Sequence, residues 1–283
     1  MLSRQGQRAA AALRHQQGVP RDVPLCAFDL AENVGVEVWF RPETSLEGMY
    51  SKEQGVILVS AFRPRGRQAF TCAHELAHHL FGHGSTVDPY LPEGNCPVAA
   101  SSQEKLANAF AASLLMPISG VRRAFADRNW GIDRCTPCQV LIVAGCLGVG
   151  YQTLIEQMRW AHHLISREQY RDLLSTSPQR LRQELLPNQH TQDLVFVDRA
   201  WVGHAVDLSV GDVCLLPKGV RHEGKSLARL GDEQFGWSFT AFCAGITRVE
   251  LPDEQWAAFV RVSRKNFVGR SIFRHLEDPD DMP

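Results

Sequence analysis

The sequence predicts an α+β protein with a mixed helix and strand domain plus a helical extension over residues 1–190, followed by a mainly β domain over residues 191–283. Three observations support this prediction. Apolar residues recur at helical spacing in several segments of the first part, around two short β-type runs. Pro187-Asn188 interrupts a polar stretch. From Asp193 onwards, short β-type runs alternate with turn residues.

The chain begins with helical patterns. An Ala-rich segment with interspersed Arg and Gln predicts a helix over residues 3–17. We favour a solvated face for its Arg residues over contact with lipid or DNA. Asp22 is placed to cap a second helix, which we expect to end near Gly35.

Two strands are predicted before the most informative segment of the chain. Residues 36–40 form the first, and residues 41–51 are interpreted as a polar loop that carries Tyr50. Residues 55–62 are apolar and β-branched, which predicts the second strand. Its unbroken apolar run favours burial inside a sheet.

The next segment contains His74-Glu75-Leu76-Ala77-His78 on a predicted helix, with Thr71 as an acceptable N-cap and Gly82 as its end. A helix turns about 100° per residue, so His74 and His78 share one face and can bind one metal ion. Glu75 can then act as general base towards a water at that ion, as in zinc hydrolases. The alternative is an ordinary helix with solvent-facing histidines.

A third ligand is available downstream. Glu104 opens an apolar helix that Pro117 ends, and Asn108 lies one turn later, where it can orient a histidine ligand. Ser101-x-x-Glu104 is also a capping box, in which Glu104 would serve only the helix end. His79 and His83 point away from the face of His74 and His78, so we interpret both as surface or helix-end groups.

The two segments that carry the candidate metal ligands are Phe70-Thr71-Cys72-Ala73-His74-Glu75-Leu76-Ala77-His78 and Glu104-x-x-Ala107-Asn108-x-Phe110-Ala111-x-x-Leu114-Leu115-Met116-Pro117. Together they resemble the ImmA/IrrE family of metallopeptidases over about residues 22–165. The resemblance implies a zincin-like domain with a gluzincin-like site, Zn2+ held by His74, His78 and Glu104, and Glu75 as catalytic base. It also implies a protein substrate, a helix-turn-helix repressor. In zincins the strand before the motif helix is an edge strand that pairs with substrate, which is the alternative to burial for residues 55–62.

Further helices are predicted around this site. The long loop over residues 83–100 is typical of a lid or specificity element. Helical patterns follow over residues 118–128 and 137–165 and, in part, 166–190. Residues 140–165 faintly resemble a helix-turn-helix, but the second helix is not basic, so we favour packing over DNA contact.

The last part of the chain predicts a β-sandwich or barrel that senses a signal, recruits a substrate or covers the site. We interpret His204, His222 and His275 as structural or exposed because none has a carboxylate at a fixed spacing. The predicted strands cover residues 194–197, 205–210, 213–216, 235–242, 246–251 and 259–262.

Composition narrows the class of protein. The net charge of −1 gives no electrostatic case for non-specific nucleic-acid binding, so direct nucleic-acid binding is not expected. No apolar run approaches the length of a membrane helix, and the first residues are too short and polar for a signal peptide, so we expect a cytoplasmic protein without membrane contact. Cys135-Thr-Pro-Cys138 is an isolated pair, for which we favour no function.

The sequence therefore predicts a zinc endopeptidase that cleaves a partner transcription repressor and so switches on stress or mobile-element genes. Tyr50 or a histidine of the β part would supply a second donor to the oxyanion, and the sequence does not decide between them. The alternatives are a zinc-stabilised, non-catalytic binding or regulatory module, and a DNA-binding regulator that uses residues 140–165.

Overall fold

The computed structural model describes residues 2–89, 101–186 and 193–277. Most of the predicted lid, the predicted domain boundary near residue 190 and the acidic end of the chain lie outside these ranges. The helices are α1 (Leu2–Gln16), α2 (Ala27–Asn33), α3 (Arg65–Leu80), α4 (Ser102–Leu115), α5 (Ile118–Ala126), α6 (Pro137–Cys146), α7 (Tyr151–Glu156), α8 (Arg167–Leu174) and α9 (Pro178–Leu185). The strands are β1 (Glu37–Arg41), β2 (Leu46–Ser51), β3 (Val56–Ser60), β4 (Thr86–Pro89), β5 (Leu194–Phe196), β6 (Val206–Ser209), β7 (Val213–Leu216), β8 (Arg221–Glu223), β9 (Leu227–Glu233), β10 (Gly236–Ala241), β11 (Gly245–Leu251), β12 (Trp256–Ser263) and β13 (Gly269–Arg270).

This mixture of helices and separate sheets is the predicted α+β class. The chain forms two compact units, which are described one at a time. The first unit comprises Met1–Val121, Leu147–Gly150 and Val268–Ile272, and the second comprises the remaining segments, Arg122–Cys146, Tyr151–Phe267 and Phe273–Pro283. The domain boundary at residue 190 stays a prediction.

The first unit contains a five-stranded sheet in the order β13-β1-β3-β2-β4. Strands β1 and β3 are parallel, whereas β2 is antiparallel to both β3 and β4. Strand β3 therefore lies inside the sheet with a neighbour on each side, as its apolar sequence favours. The alternative prediction, in which β3 is an edge strand, is wrong. The edge strand on the β2 side of this sheet is β4.

Three local expectations in this unit need correction. Helix α3 begins at Arg65 after Pro64, so Thr71 is a buried residue within the helix and not its N-cap. Proline fixes a φ that suits a helix start, so the helix begins nine residues before His74. Helix α2 begins at Ala27 and not at Asp22. Residues 46–51 form β2, because pairing with β3 stabilises a segment whose own pattern is weak.

Helix α1 packs closely on α4. A Cβ atom at Gly6 would lie 2.8 Å from the backbone nitrogen of Phe110, so only glycine allows this approach. Arg14 is 1% exposed, and its guanidinium donates hydrogen bonds to the backbone oxygens of Leu114, Pro20 and Val23. The expectation of a solvated Arg face is thus wrong for Arg14, whereas Arg4 and Arg8 are exposed.

The second unit holds α6–α9 and two four-stranded sheets in the orders β5-β7-β10-β9 and β6-β12-β11-β8. Apolar side chains from both sheets form one buried cluster that includes Val206, Phe239, Val249 and Val260. Facing sheets with a shared apolar interior are typical of a β-sandwich. Strands β8 and β9 were missed because their exposed, charged residues lack a β-type pattern.

Within the described residues, no single helix is long and apolar enough to cross a membrane. One helix pair, Pro137–Cys146 with Tyr151–Ala161, reaches that length and composition when taken together and is bent by 102°.

Candidate metal centre

Helix α3 places the residues of the first motif in the interior of the first unit. His74 is 4% exposed, and Glu75 and His78 are fully buried. The Nε2 atoms of His74 and His78 lie 3.1 Å apart, as expected for two imidazoles one helical turn apart on the same face. The solvent-facing alternative for these histidines is therefore wrong.

Helix α4 brings Glu104 to the same point. Its Oε2 lies 3.0 Å from Nε2 of His74, and its Oε1 lies 3.5 Å from Nε2 of His78. The helix end is capped separately, because the Ser101 hydroxyl accepts a hydrogen bond from the backbone N–H of Glu104. Capping thus uses the backbone of Glu104 and leaves its carboxylate beside the two histidines.

Each of the two imidazoles has a partner on its far side. Nδ1 of His74 lies 3.0 Å from Oδ1 of Asn108, as the sequence predicts for an orienting residue. Nδ1 of His78 lies 2.9 Å from Nδ1 of His83, which is buried. His83 follows the end of α3, as the helix-end interpretation expects, but it is not a surface group, because Gly82 takes a positive φ that turns the chain back towards His78.

We expect Asn108→Ala and His83→Ala each to weaken zinc binding by about 10–100-fold, since partners that fix a ligand imidazole typically contribute that much to metal affinity. Competition with a chromogenic chelator measures the effect. His79→Ala is the matched control, because His79 contacts Tyr50 and not the paired histidines. Unchanged zinc affinity in both variants would show that these two contacts do not orient the ligands.

Strand β4 contributes two side chains that the sequence did not single out. Thr86 donates a hydrogen bond from Oγ1 to Oε2 of Glu75 over 2.8 Å. Oδ2 of Asp88 lies 3.3 Å from Nε2 of His74. The sequence feature that could have predicted this strand is the polar-apolar-polar alternation of Thr86, Val87 and Asp88. It is short and lies in the segment that we interpreted as a loop.

Gly48 makes room for this arrangement. It lies on β2 opposite Asp88, and a Cβ atom there would lie 2.3 Å from Cγ2 of Thr71 and 2.9 Å from Oε1 of Glu75. A side chain at this position would therefore push against the helix at the site. Because Gly48 has no side chain, β2 can lie directly beside Glu75.

The electrostatics of the cluster favour a bound cation. Burial and the neighbouring Asp88 charge raise the pKa of Glu75 to about 8. Burial likewise raises the pKa of Asp88, whereas hydrogen bonding with His74 lowers the pKa of Glu104. Burial and the charge of His74 lower the pKa of His78 to about 4, so this imidazole is neutral and able to bind a metal.

The donor set fits a zinc ion. Imidazole nitrogen and carboxylate oxygen are ligands that zinc accepts, and His74, His78 and Glu104 form one group whose donor atoms lie within 4.8 Å of one another. Oε1 of Glu75 is buried and has no hydrogen-bond partner among the described residues, as expected for an atom whose partner would be a bound ion or water. A divalent cation would offset the excess of carboxylates over charged bases here.

The other candidate residues lie elsewhere. The Tyr50 hydroxyl is 2.9 Å from Nδ1 of His79, so this donor is engaged on a different face of α3. In the second unit, His204 stacks on Trp201 and lies 3.8 Å from Sγ of Cys146. Cys135 and Cys138 are free thiols, and burial raises the pKa of both.

Comparison with known proteins agrees with the motifs. Residues 25–158 match the family model of the M78 peptidases, described as the IrrE N-terminal-like domain. No curated protein matches the chain. Among solved structures, one match is a Mycobacterium tuberculosis transcriptional regulator, at 16% identity and a TM-score of 0.36. That alignment covers 54% of this chain and spans 46% of the regulator.

The family match and the first motif thus indicate a peptidase-type domain within residues 25–158. The match over residues 25–158 supports the ImmA/IrrE family that the two motifs predict.

Proposed function

We propose that the protein is a zinc-dependent endopeptidase that hydrolyses a peptide bond in a helix-turn-helix repressor and thereby switches on stress or mobile-element genes. One observation carries the proposal. His74, His78 and Glu104, which come from two helices, present their donor atoms to one point, and the carboxylate of Glu75 lies beside it. The repressor as substrate rests on the family resemblance alone.

The residues divide the chemistry between them. A zinc ion, when bound by His74, His78 and Glu104, polarises the scissile carbonyl and acidifies water. Glu75 accepts a proton from the attacking water and passes it to the leaving amine. Thr86 donates a hydrogen bond to one carboxylate oxygen of Glu75 and so helps to fix the position of this base. Asn108 and His83 keep the two imidazoles in the tautomer that leaves Nε2 free.

A non-catalytic, zinc-stabilised module is the second candidate. Structural zinc sites usually have four protein ligands, whereas catalytic sites leave one position to water or substrate. Asp88 lies 3.3 Å from His74, but its carboxylate groups with His74 and Glu75 and not with His78 and Glu104, so it does not complete a set of four ligands. The buried, unpartnered oxygen of Glu75 favours catalysis, because a purely structural site has no use for a base at that position.

Zinc analysis of Glu104→Ala tests the site. We expect about one zinc per wild-type chain, as for a three-ligand catalytic site, and a sharp loss in Glu104→Ala. Ser101→Ala is the matched control, since it removes the helix cap and leaves the carboxylate. Elemental analysis with a circular dichroism check of folding measures both. Full zinc in a folded Glu104→Ala would contradict the ligand role.

Activity is then measured on purified helix-turn-helix repressors, with cleavage followed by gel and mass spectrometry. Salt-sensitive DNA binding in a gel shift would instead favour the DNA-binding alternative at residues 140–165. A cytoplasmic location stays a prediction.

A further inference from the structure

The first 21 residues carry an excess of positive charge. They contain four arginines and no aspartate or glutamate, whereas the whole chain has a net charge of −1. Arg14 is buried and donates its hydrogen bonds to backbone oxygens. Arg4, Arg8 and Arg21 are exposed, and their guanidinium groups form no ion pair with any of the described residues. The charge of these three arginines is therefore available to a partner.

A groove lies on the outer face of α1. Its volume is about 510 Å³, and it is lined by residues of the helix together with Arg21. Ligand sites commonly have volumes of about 300–1,000 Å³, so the groove is large enough to hold part of a partner. Arg8, Ala12 and His15 follow one another at intervals of four and three residues and so lie along one face of the helix. Because alanine is small, an extended peptide can lie close to the helix between the basic groups.

The composition of this face favours one kind of partner. Helices that lie on a lipid surface expose tryptophan, phenylalanine or leucine, and no large apolar side chain of residues 2–21 is exposed. The net charge of the chain gives no long-range attraction for a nucleic acid. Arginine side chains in a cluster bind carboxylates of acidic protein segments through charge-assisted hydrogen bonds. The groove therefore fits an acidic peptide better than a membrane or a nucleic acid.

Helix α1 is fixed to the rest of the first unit by its opposite face. A Cβ atom at Gly6 would lie 2.8 Å from the backbone nitrogen of Phe110, so α1 lies directly against α4. Helix α4 also carries Glu104 and Asn108, which belong to the candidate metal centre. A partner bound in the groove is thus held by the unit that contains this centre, through residues that do not belong to the centre.

We propose that the groove on α1 docks an acidic segment of a partner protein, whose carboxylates pair with the guanidinium groups of Arg8 and Arg21. The inference goes beyond the proposed function, because it requires neither a bound metal ion nor peptidase activity. It assigns to the first unit a surface that recruits a protein by charge.

The test measures binding of a fluorescein-labelled deca-glutamate peptide to the full chain by fluorescence anisotropy, at low and at high ionic strength. Deca-glutamine and a short DNA duplex of mixed sequence are the comparison probes. One variant combines Arg8→Gln with Arg21→Gln and removes charge from the groove. Ala12→Trp keeps the charge and fills the groove at an exposed position of the helix. The matched control combines Arg122→Gln with Arg167→Gln, which removes two exposed arginines elsewhere.

We expect the wild type to bind deca-glutamate more tightly than either comparison probe, with an affinity that falls as salt screens the charges. The variant at Arg8 and Arg21 should bind deca-glutamate about 10-fold more weakly, because one exposed ion pair contributes up to about fivefold in affinity. Ala12→Trp should weaken binding by a similar factor, since the added ring occupies the space of the peptide. The control variant should match the wild type, and thermal unfolding checks that all variants are folded.

Three results would overturn the inference. Wild-type affinity for deca-glutamate in the variant at Arg8 and Arg21, or no binding by the wild type, would show that these arginines are only solvated. A loss in that variant without any loss in Ala12→Trp would indicate a general charge effect and not a groove. Tighter binding of the DNA duplex than of deca-glutamate would replace the protein partner by a nucleic acid. None of these results depends on whether the protein cleaves a repressor.

Discussion

Glu75→Gln is expected to lower the rate of repressor cleavage by about 10²–10⁴-fold, the usual contribution of a general base. Glutamine has nearly the shape of glutamate but cannot accept a proton from water. Glu75 does not belong to the proposed ligand set, so zinc should remain bound. The measurement pairs single-turnover cleavage of a purified repressor with zinc analysis of the same sample.

The environment of Glu75 makes this substitution informative. Its side chain is fully buried, one oxygen accepts a hydrogen bond from Thr86, and the other has no hydrogen-bond partner among the described residues. The amide can accept the same bond from Thr86, so the helix should keep its position. Glu53→Gln, an exposed glutamate beside Ser85, is the matched control and should cleave at the wild-type rate. Full activity in zinc-loaded Glu75→Gln would contradict the role of Glu75 as base.

Arg14→Ala is expected to destabilise the first unit by about 1–3 kcal/mol, the cost of leaving a buried hydrogen-bond acceptor without a partner. The guanidinium donates to the oxygen of Leu114 from Nε and Nη2, over 2.9 Å and 2.6 Å, and to those of Pro20 and Val23 from Nη1, over 2.8 Å and 2.9 Å. Leu114 lies in the last turn of α4, whose carbonyls have no partner within the helix. Alanine would leave the buried oxygen of Leu114 unpaired, whereas the oxygens of Pro20 and Val23 are only part-buried.

Two further variants define the cause. Arg14→Lys keeps the charge but lacks the planar fork, so it should recover only part of the stability. Arg8→Ala changes an exposed arginine of the same helix and should alter stability by less than about 0.5 kcal/mol. Urea unfolding, with hydrogen exchange of α4 amides as a probe of the first unit, measures the difference. Equal midpoints for Arg14→Ala and Arg8→Ala would show that the buried network contributes nothing.

What the sequence determined by itself is local. The spacing of His74 and His78 needs only helix geometry, which puts residues four apart on one face. The run from Glu104 to Leu115 and its end at Pro117 follow from periodicity and the missing N–H of proline. The alternation of short β-type runs after Asp193 likewise indicated strands that the structure contains. The family resemblance rests on these same segments, and residues 25–158 match its model.

What the tertiary structure decided is long-range. The sequence left two roles open for Glu104, and only the packing of α3 against α4 shows that its carboxylate reaches His74 while its backbone serves the cap. Thr86 and Asp88 meet Glu75 and His74 because β4 pairs with β2, and no local pattern encodes that pairing. Arg14 and the exposed Arg8 lie in the same Ala-rich segment, and nothing in the local sequence distinguishes the buried arginine from the exposed one. Arg14 is buried because α1 packs on α4, where its partner Leu114 lies 100 residues away in sequence, and such a contact depends on the whole fold.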